Sequence, residues 1–153
     1  MRADIRLKIE KVYTYYLNKE ASKLMKFILY LILFTLSLSA DNIRWHSNYD
    51  TAFTQALKED KMLMVLVIEE DSSECYKMLS TTFMNQNYNK KINSLFISVL
   101  ITKGQKDTYP IEMLYTMEYP SLFFLDTNEL FIGKTIFGYI SPTKFKTYLD
   151  LHF

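Results

Sequence analysis

Two kinds of apolar stretch alternate along the middle of the chain. Residues 62–68, MLMVLVI, and 95–101, LFISVLI, are continuous apolar runs of strand length, the pattern of strands covered on both faces. Between them Cys75, Met78, Leu79, Thr82 and Phe83 recur at helical spacing, and Tyr88 and Ile92 belong to a second helical stretch. Strand, helix and strand in succession predict a right-handed parallel crossover. Ahead of this unit Tyr49, Ala52, Phe53, Ala56 and Leu57 fall at i, i+3, i+4, i+7 and i+8. With Ser47 or Asn48 as cap they predict a helix, which Asp60 and Lys61 end.

Beyond the polar stretch Thr102 to Thr108 the pattern changes. A short helix is expected around Glu112 to Thr116, leading to Tyr119-Pro120. Residues 121–125 and 130–137 read as strands joined by Asp126-Thr127-Asn128-Glu129 in an antiparallel hairpin, which Gly133 and Gly138 bend or end. Phe123, Phe124, Phe131 and Phe137 are expected in the core. Ser141 as cap and Pro142 at the first helical position open a last helix, with Phe145, Tyr148 and Leu149 on its buried face. The order is βαβ followed by ββα. It predicts an α/β fold with a central mixed sheet of about four to five strands flanked by helices.

The N-terminal region follows different rules. Phe27 to Leu38, FILYLILFTLSL, is an apolar run preceded by Lys23 and Lys26 and followed by Ser39 and Ala40. Charged, apolar and small-residue zones in that order are the pattern of a secretory signal peptide, here residues 25–40, with cleavage after Ser39 or Ala40. The run is short against the roughly 20 apolar residues of a spanning helix. An uncleaved anchor over residues 27–38 is the alternative, because Leu38 is larger than the small residue that cleavage favours. Residues 1–24 read as a basic helical extension or as a mis-assigned start, since Met25-Lys26 would open a signal of normal proportions. Residues 41–153 form the remaining domain.

Composition supports that division. The chain has 153 residues, 49% hydrophobic and 16% aromatic, with 3 Gly and 3 Pro, which indicates a packed globular body. Residues 1–40 carry 7 basic and 3 acidic side chains, leaving 11 basic and 14 acidic in residues 41–153. A mildly acidic body with scattered Lys residues has no phosphate-neutralising stripe, so nucleic acid is not an expected partner. His46 and His152 lie far apart, and a single cysteine, Cys75, rules out an intrachain disulfide and a cysteine-only zinc site. No metal or cofactor is implied. A lone thiol in an exported protein is free, buried or joined to another molecule.

Four segments in order resemble one family. Asp71-Ser72-Ser73-Glu74-Cys75-Tyr76-Lys77-Met78 is similar to the helix start where thioredoxin-like proteins carry Cys-x-x-Cys, in the version that continues with x-x-Met. TTF at 81–83 resembles the segment that follows in periplasmic thiol:disulfide interchange domains. Tyr119-Pro120-Ser121-Leu122-Phe123-Phe124 resembles the family's cis-proline strand, and Phe137-Gly138-Tyr139 with the closing helix also fits. The resemblance spans residues 43–151 and implies a thioredoxin-like domain. It departs at two places: Asp71 stands where a tryptophan is common, and Ser72 where the family has its exposed nucleophilic cysteine.

That second departure decides the chemistry to be expected. A serine hydroxyl is too basic for a helix N-terminus alone to activate it, and no sequence-adjacent histidine offers a base. Cys75 matches the family's second, resolving cysteine. Its spacing to Met78 and Leu79 puts it on the apolar face, where burial and the carboxylates of Glu69, Glu70, Asp71 and Glu74 disfavour a thiolate while the helix N-terminus favours it. Asp71 and Glu74 fit a capping box, and Ser72 could equally be the cap with its oxygen on the Cys75 amide. Pro120, cis by resemblance, would leave the backbone beside Tyr119 free to pair with an extended peptide, or serve only as a fold-defining turn. Two functions stay open. One is a redox-silent accessory module binding a protein or peptide client between the 71–75 loop and Tyr119-Pro120. The other is a single-cysteine thiol:disulfide oxidoreductase, forming mixed disulfides at Cys75 with a client or a membrane thiol:disulfide exchange protein. Both place the domain in the periplasm.

Overall fold

The computed structural model describes residues 21–28, 42–105 and 109–153. The chain divides into two units, Met1–Ala40 and Asp41–Phe153. Of the first unit residues 21–28 are described, and they are helical. Apart from Phe27 and Ile28, the apolar run of the expected signal lies outside the described residues, as does most of the 1–24 extension. Among the described residues no helix is long and apolar enough to cross a membrane.

The second unit is one five-stranded sheet with helices on both faces. In chain order its elements are β1 (Trp45–His46), α1 (Tyr49–Glu59), β2 (Met62–Ile68), α2 (Ser73–Lys77) running on as a π-helix (Met78–Phe83), α3 (Asn89–Leu95), β3 (Phe96–Thr102), β4 (Ser121–Leu125), β5 (Ile136–Phe137) and α4 (Pro142–His152). The spatial order is β1-β3-β2-β4-β5. β1 and β2 run parallel to β3, β4 runs antiparallel to β2, and β5 antiparallel to β4. The apolar run 62–68 is the central strand because its two faces supply two separate cores. Met64 and Leu66 point into one, with Met78, Phe83, Phe96, Leu122, Phe124 and Phe145. Leu63, Val65 and Val67 point into the other, with Tyr49, Ala52, Ala56, Val99 and Phe123, as the two-residue period of a strand requires.

Most predicted elements form within a residue or two of their expected limits. Asn48 and Ser72 cap their helices with side-chain bonds, whereas Ser141 stands at the cap position of α4 without one, ahead of Pro142. Asn48, rather than Ser47, caps α1 by accepting from Thr51 N at 2.9 Å, and Asp60 in a left-handed conformation (φ 51°) ends it. Leu57, expected on the buried face, is 51% exposed; eight residues past Tyr49 it sits about 80° round the helix, at the margin of the packed stripe. The helical run expected over 75–83 is in place but widens to π geometry after Lys77. There Ser80 Oγ and Thr81 Oγ1 both donate to Lys77 O, and Thr82 Oγ1 donates to Ile140 O at 2.6 Å, so hydroxyls take part of the bonding of a regular helix.

Three further expectations fail. Residues 112–116 form turns, not a helix, because the hydroxyl of Thr116 bonds Glu118 and Ser121 and so favours a local turn over a helical course. The 130–137 strand is broken into a single bridge, Phe131 to Leu125, and the two residues of β5. Gly133 turns at φ +69°, and the Tyr148 hydroxyl takes both backbone groups of Lys134, accepting from its N–H at 3.0 Å and donating to its carbonyl at 2.8 Å. Phe131 and Phe137 are consequently not core residues. They are 49% and 53% exposed and flank the buried Phe123 ring at the sheet edge, beyond the strands that α1 covers. β1 was not foreseen, since two residues are too few to show a period.

Candidate functional site

Where β2 runs out, the chain makes a tight turn into α2. Ser72 N donates to Glu69 O at 3.2 Å, Ser72 holds an extended conformation (φ −86°, ψ 117°), and its Oγ accepts from Cys75 N at 3.3 Å. Ser72 is therefore the cap, and the capping role offered to Asp71 and Glu74 is not taken up by Asp71. Glu74 lies in the first turn, where a carboxylate favours the positive end of the helix. Cys75 follows one turn in and points to the interior. It is 2% exposed, and its Sγ accepts from Glu69 N at 3.4 Å.

The register of the sheet brings the second half of the site to the same end. Val67 pairs with Ser121, so Pro120 stands level with Ile68, the last residue before the Glu69 turn. The Tyr119-Pro120 bond is cis, as expected from the sequence. Pro120 is buried and its carbonyl accepts from Gly138 N at 2.8 Å. Around it Tyr119 Oη donates to Thr116 O at 2.9 Å, Thr116 Oγ1 meets Ser121 Oγ at 2.8 Å, and Ser121 Oγ donates to Glu118 O at 2.5 Å. These bonds hold 116–121 in one shape. Gly138, at φ +70°, has the Glu74 carboxylate 3.6 Å from where a Cβ would be, and Lys77 lies 4.3 Å above the Tyr139 ring. The start of α2 thus borders the 137–139 segment as well as the Glu69 turn.

One contributor carried no motif in the sequence. Lys103, just past β3, donates from its backbone N–H to Ile68 O at 2.8 Å, pairs through Nζ with Glu69 Oε1 at 2.6 Å, and places Nζ 4.9 Å from the centre of the Tyr119 ring. The Glu69 carboxylate beside it raises the Lys103 pKa, first by the hydrogen bond and then by charge. Only the pairing of β2 with β3 brings this residue to the site, which is why no spacing in the sequence announced it. Among the described residues no group of three or more His, Cys, Asp or Glu side chains could hold a metal ion.

No family model and no curated protein matches the sequence. Solved structures match the architecture. A putative disulphide-isomerase from Bacteroides thetaiotaomicron superposes with a TM-score of 0.62 at 17% identity, over 74% of this chain and 95% of that one. A thioredoxin from Thermus thermophilus gives 0.61 at 16%, over 72% and 86%. The oxidoreductase DsbH gives 0.55 at 18%, over 72% and 86%. The chain has a thioredoxin-like fold. Against that fold, the start of α2 and the strand opening after Pro120 meet at one end of the sheet. A thioredoxin-like domain built with Ser72 and Cys75 there has a hydroxyl engaged as a helix cap and a single thiol facing inward.

Proposed function

We propose that residues 41–153 form an exported, redox-silent thioredoxin-like module that holds an extended protein or peptide client between the 71–75 loop and Tyr119-Pro120, in an accessory role in thiol and protein-folding pathways. Export rests on the signal-like pattern of residues 25–40 and places the domain in the periplasm, or on the membrane if residues 27–38 are retained as an anchor. The observation that carries the silent reading is the pairing of roles at the helix start: Ser72 Oγ is used on the Cys75 amide while Cys75 itself is 2% exposed. The Cys75 sulfur is buried, and the partly exposed Ser72 carries no thiol with which to attack a substrate disulfide. The pathway is suggested by the fold of the disulphide-isomerase and the oxidoreductase that resemble it.

Cys75 should then be alkylated far more slowly in the native protein than in urea, and Cys75→Ala should leave client binding unchanged. Ser72→Cys should supply the missing partner thiol. Two thiolates could then be oxidised to a disulfide as a substrate disulfide is reduced to two thiols, with dithiothreitol regenerating the pair, so disulfide reductase activity should rise well above that of the natural protein. The second reading, a single-cysteine oxidoreductase, is favoured by the Glu69 N–H aimed at the sulfur, a bond that stabilises negative charge there. Rapid native alkylation, or capture of a client through Cys75 as a mixed disulfide, would establish that reading in place of the first.

A further inference from the structure

Lys103 touches both halves of the site, and the sequence-derived readings give it no part. Its Nζ meets Glu69, whose backbone N–H reaches the Cys75 sulfur and whose carbonyl closes the turn to Ser72. The same Nζ lies over the Tyr119 ring, next to Pro120. We infer that Lys103 is a positioning residue that ties the Glu69–Ser72 turn to the Tyr119-Pro120 segment and thereby keeps the Cys75 thiol closed off. The inference deepens the proposed function, on which it rests, by naming what governs access to the thiol at that site.

The physical case is one of local opening. A thiol with 2% exposure reacts only when the segment above it moves. The segment above it is the Glu69–Ser72 turn, held by the Ser72 N to Glu69 O bond and by the Glu69 N–H on sulfur. Beyond the turn itself, the Ser72 cap ties it to α2 at the Cys75 amide. On the other side the Lys103 ion pair, 54% and 43% exposed on its two partners, ties it to the end of β3. An exposed pair of this kind shifts an opening equilibrium by a small factor and is screened by salt. The aromatic ring under Nζ adds a cation–π contact to the same group. The effect is modest in size, and its sign is diagnostic. If Lys103 acted on the thiol only through its charge, removing it would destabilise the thiolate and slow alkylation. If it holds the turn shut, removing it speeds alkylation.

The test uses the full chain and its Lys103→Met and Lys103→Arg variants, with iodoacetamide alkylation of Cys75 measured natively and in urea, at low and high sodium chloride. Salt should speed native alkylation of the natural protein by screening the pair. Lys103→Met should raise the native rate about two- to five-fold at low salt, leave the rate in urea unchanged, and show no such acceleration by salt. Lys103→Arg, which keeps the charge and stacks on Tyr119, should restore the natural rate. Amide exchange at Glu69 should quicken in Lys103→Met by a similar factor. A Lys103→Met rate equal to or below that of the natural protein, or no rescue by arginine, overturns the inference. Failure of the silent reading is distinct, since it shows as a natural protein whose native and urea rates are alike.

Discussion

At the scale of single residues, Ser72 shows how a position can keep its geometry and change its chemistry. A hydroxyl at the first site of a helix accepts an amide bond, which a cysteine sulfur does only weakly, and Ser72 Oγ makes that bond to Cys75 N. Loss of a serine cap typically costs about 1 kcal/mol. Ser72→Ala should therefore lower the unfolding free energy by about that amount, read as a lower urea midpoint with an unchanged slope, and should quicken native alkylation of Cys75 by loosening the turn above it. An unchanged midpoint would mean that the cap contributes nothing and that its geometry is incidental. The same scale shows how much of the site could be read in advance. The burial of Cys75, the cap at Ser72 and the bond at Tyr119-Pro120 follow from local spacing, turn chemistry and resemblance to neighbouring motifs. Lys103 does not, because its position depends on the strand it follows and on nothing in its own vicinity.

The elements repeat that division between local and distant causes. Continuous apolar runs announced β2 and β3, the Asn48 cap announced α1 and Pro142 at the first helical position announced α4, since these signals lie at the element itself. The 112–116 and 130–137 segments depart from the pattern because side chains outside them take their backbone groups: Tyr119 Oη bonds the Thr116 carbonyl in the first, and the Tyr148 hydroxyl bonds Lys134 in the second. Gly133→Ala tests the second directly. A Cβ there would come within 2.6 Å of the Tyr148 hydroxyl, at a φ of +69°, so the substitution should destabilise by more than about 1 kcal/mol. Adding Tyr148→Phe removes the clash, and the double variant should be less destabilised than the sum of the two single ones. Simple additivity would show that backbone strain alone accounts for the loss. The turn between β4 and Phe131 makes a second prediction. Bonds from Leu130 N first, and then from Asn128 N, hold the Asp126 carboxyl below its ordinary value. A carboxylate with a lowered folded pKa stabilises the protein above its ordinary value, about 3.9, and loses that contribution as pH falls through the lowered one. The melting temperature should drop as pH is taken from about 5 to about 2.5, and less steeply in Asp126→Asn, which keeps an acceptor but cannot be protonated. The difference should be small, because the group is exposed and screened.

For the whole molecule the decisive fact is where the cores begin. Among the described residues, both apolar layers are built from residues at or after Ile43, and the five strands lie between Trp45 and Phe137. Each layer is closed by aromatic packing within that range, as where Phe145 meets the rings of Phe83 and Tyr88 edge-on at 5.4 and 5.3 Å. A chain starting at Asp41 should accordingly unfold in one cooperative step. Trp45, the only tryptophan, sits edge-on to Phe83 at 5.1 Å and supplies the fluorescence to follow it. Phe145→Ala should cost about 3–5 kcal/mol, a large part of the 5–15 kcal/mol typical of a domain. If the 41–153 chain unfolds gradually, residues before Asp41 are needed for cooperativity, and removing residues 25–40 as a signal could not leave a stable product. Mass spectrometry of the exported protein then completes the argument. An N-terminus at Ala40 or Asp41 is the expected outcome, matching cleavage after Ser39 or Ala40. A chain still beginning at Met1 or Met25 would instead mean that the apolar run is retained, and that the site at Ser72, Cys75 and Pro120 works tethered to a membrane surface.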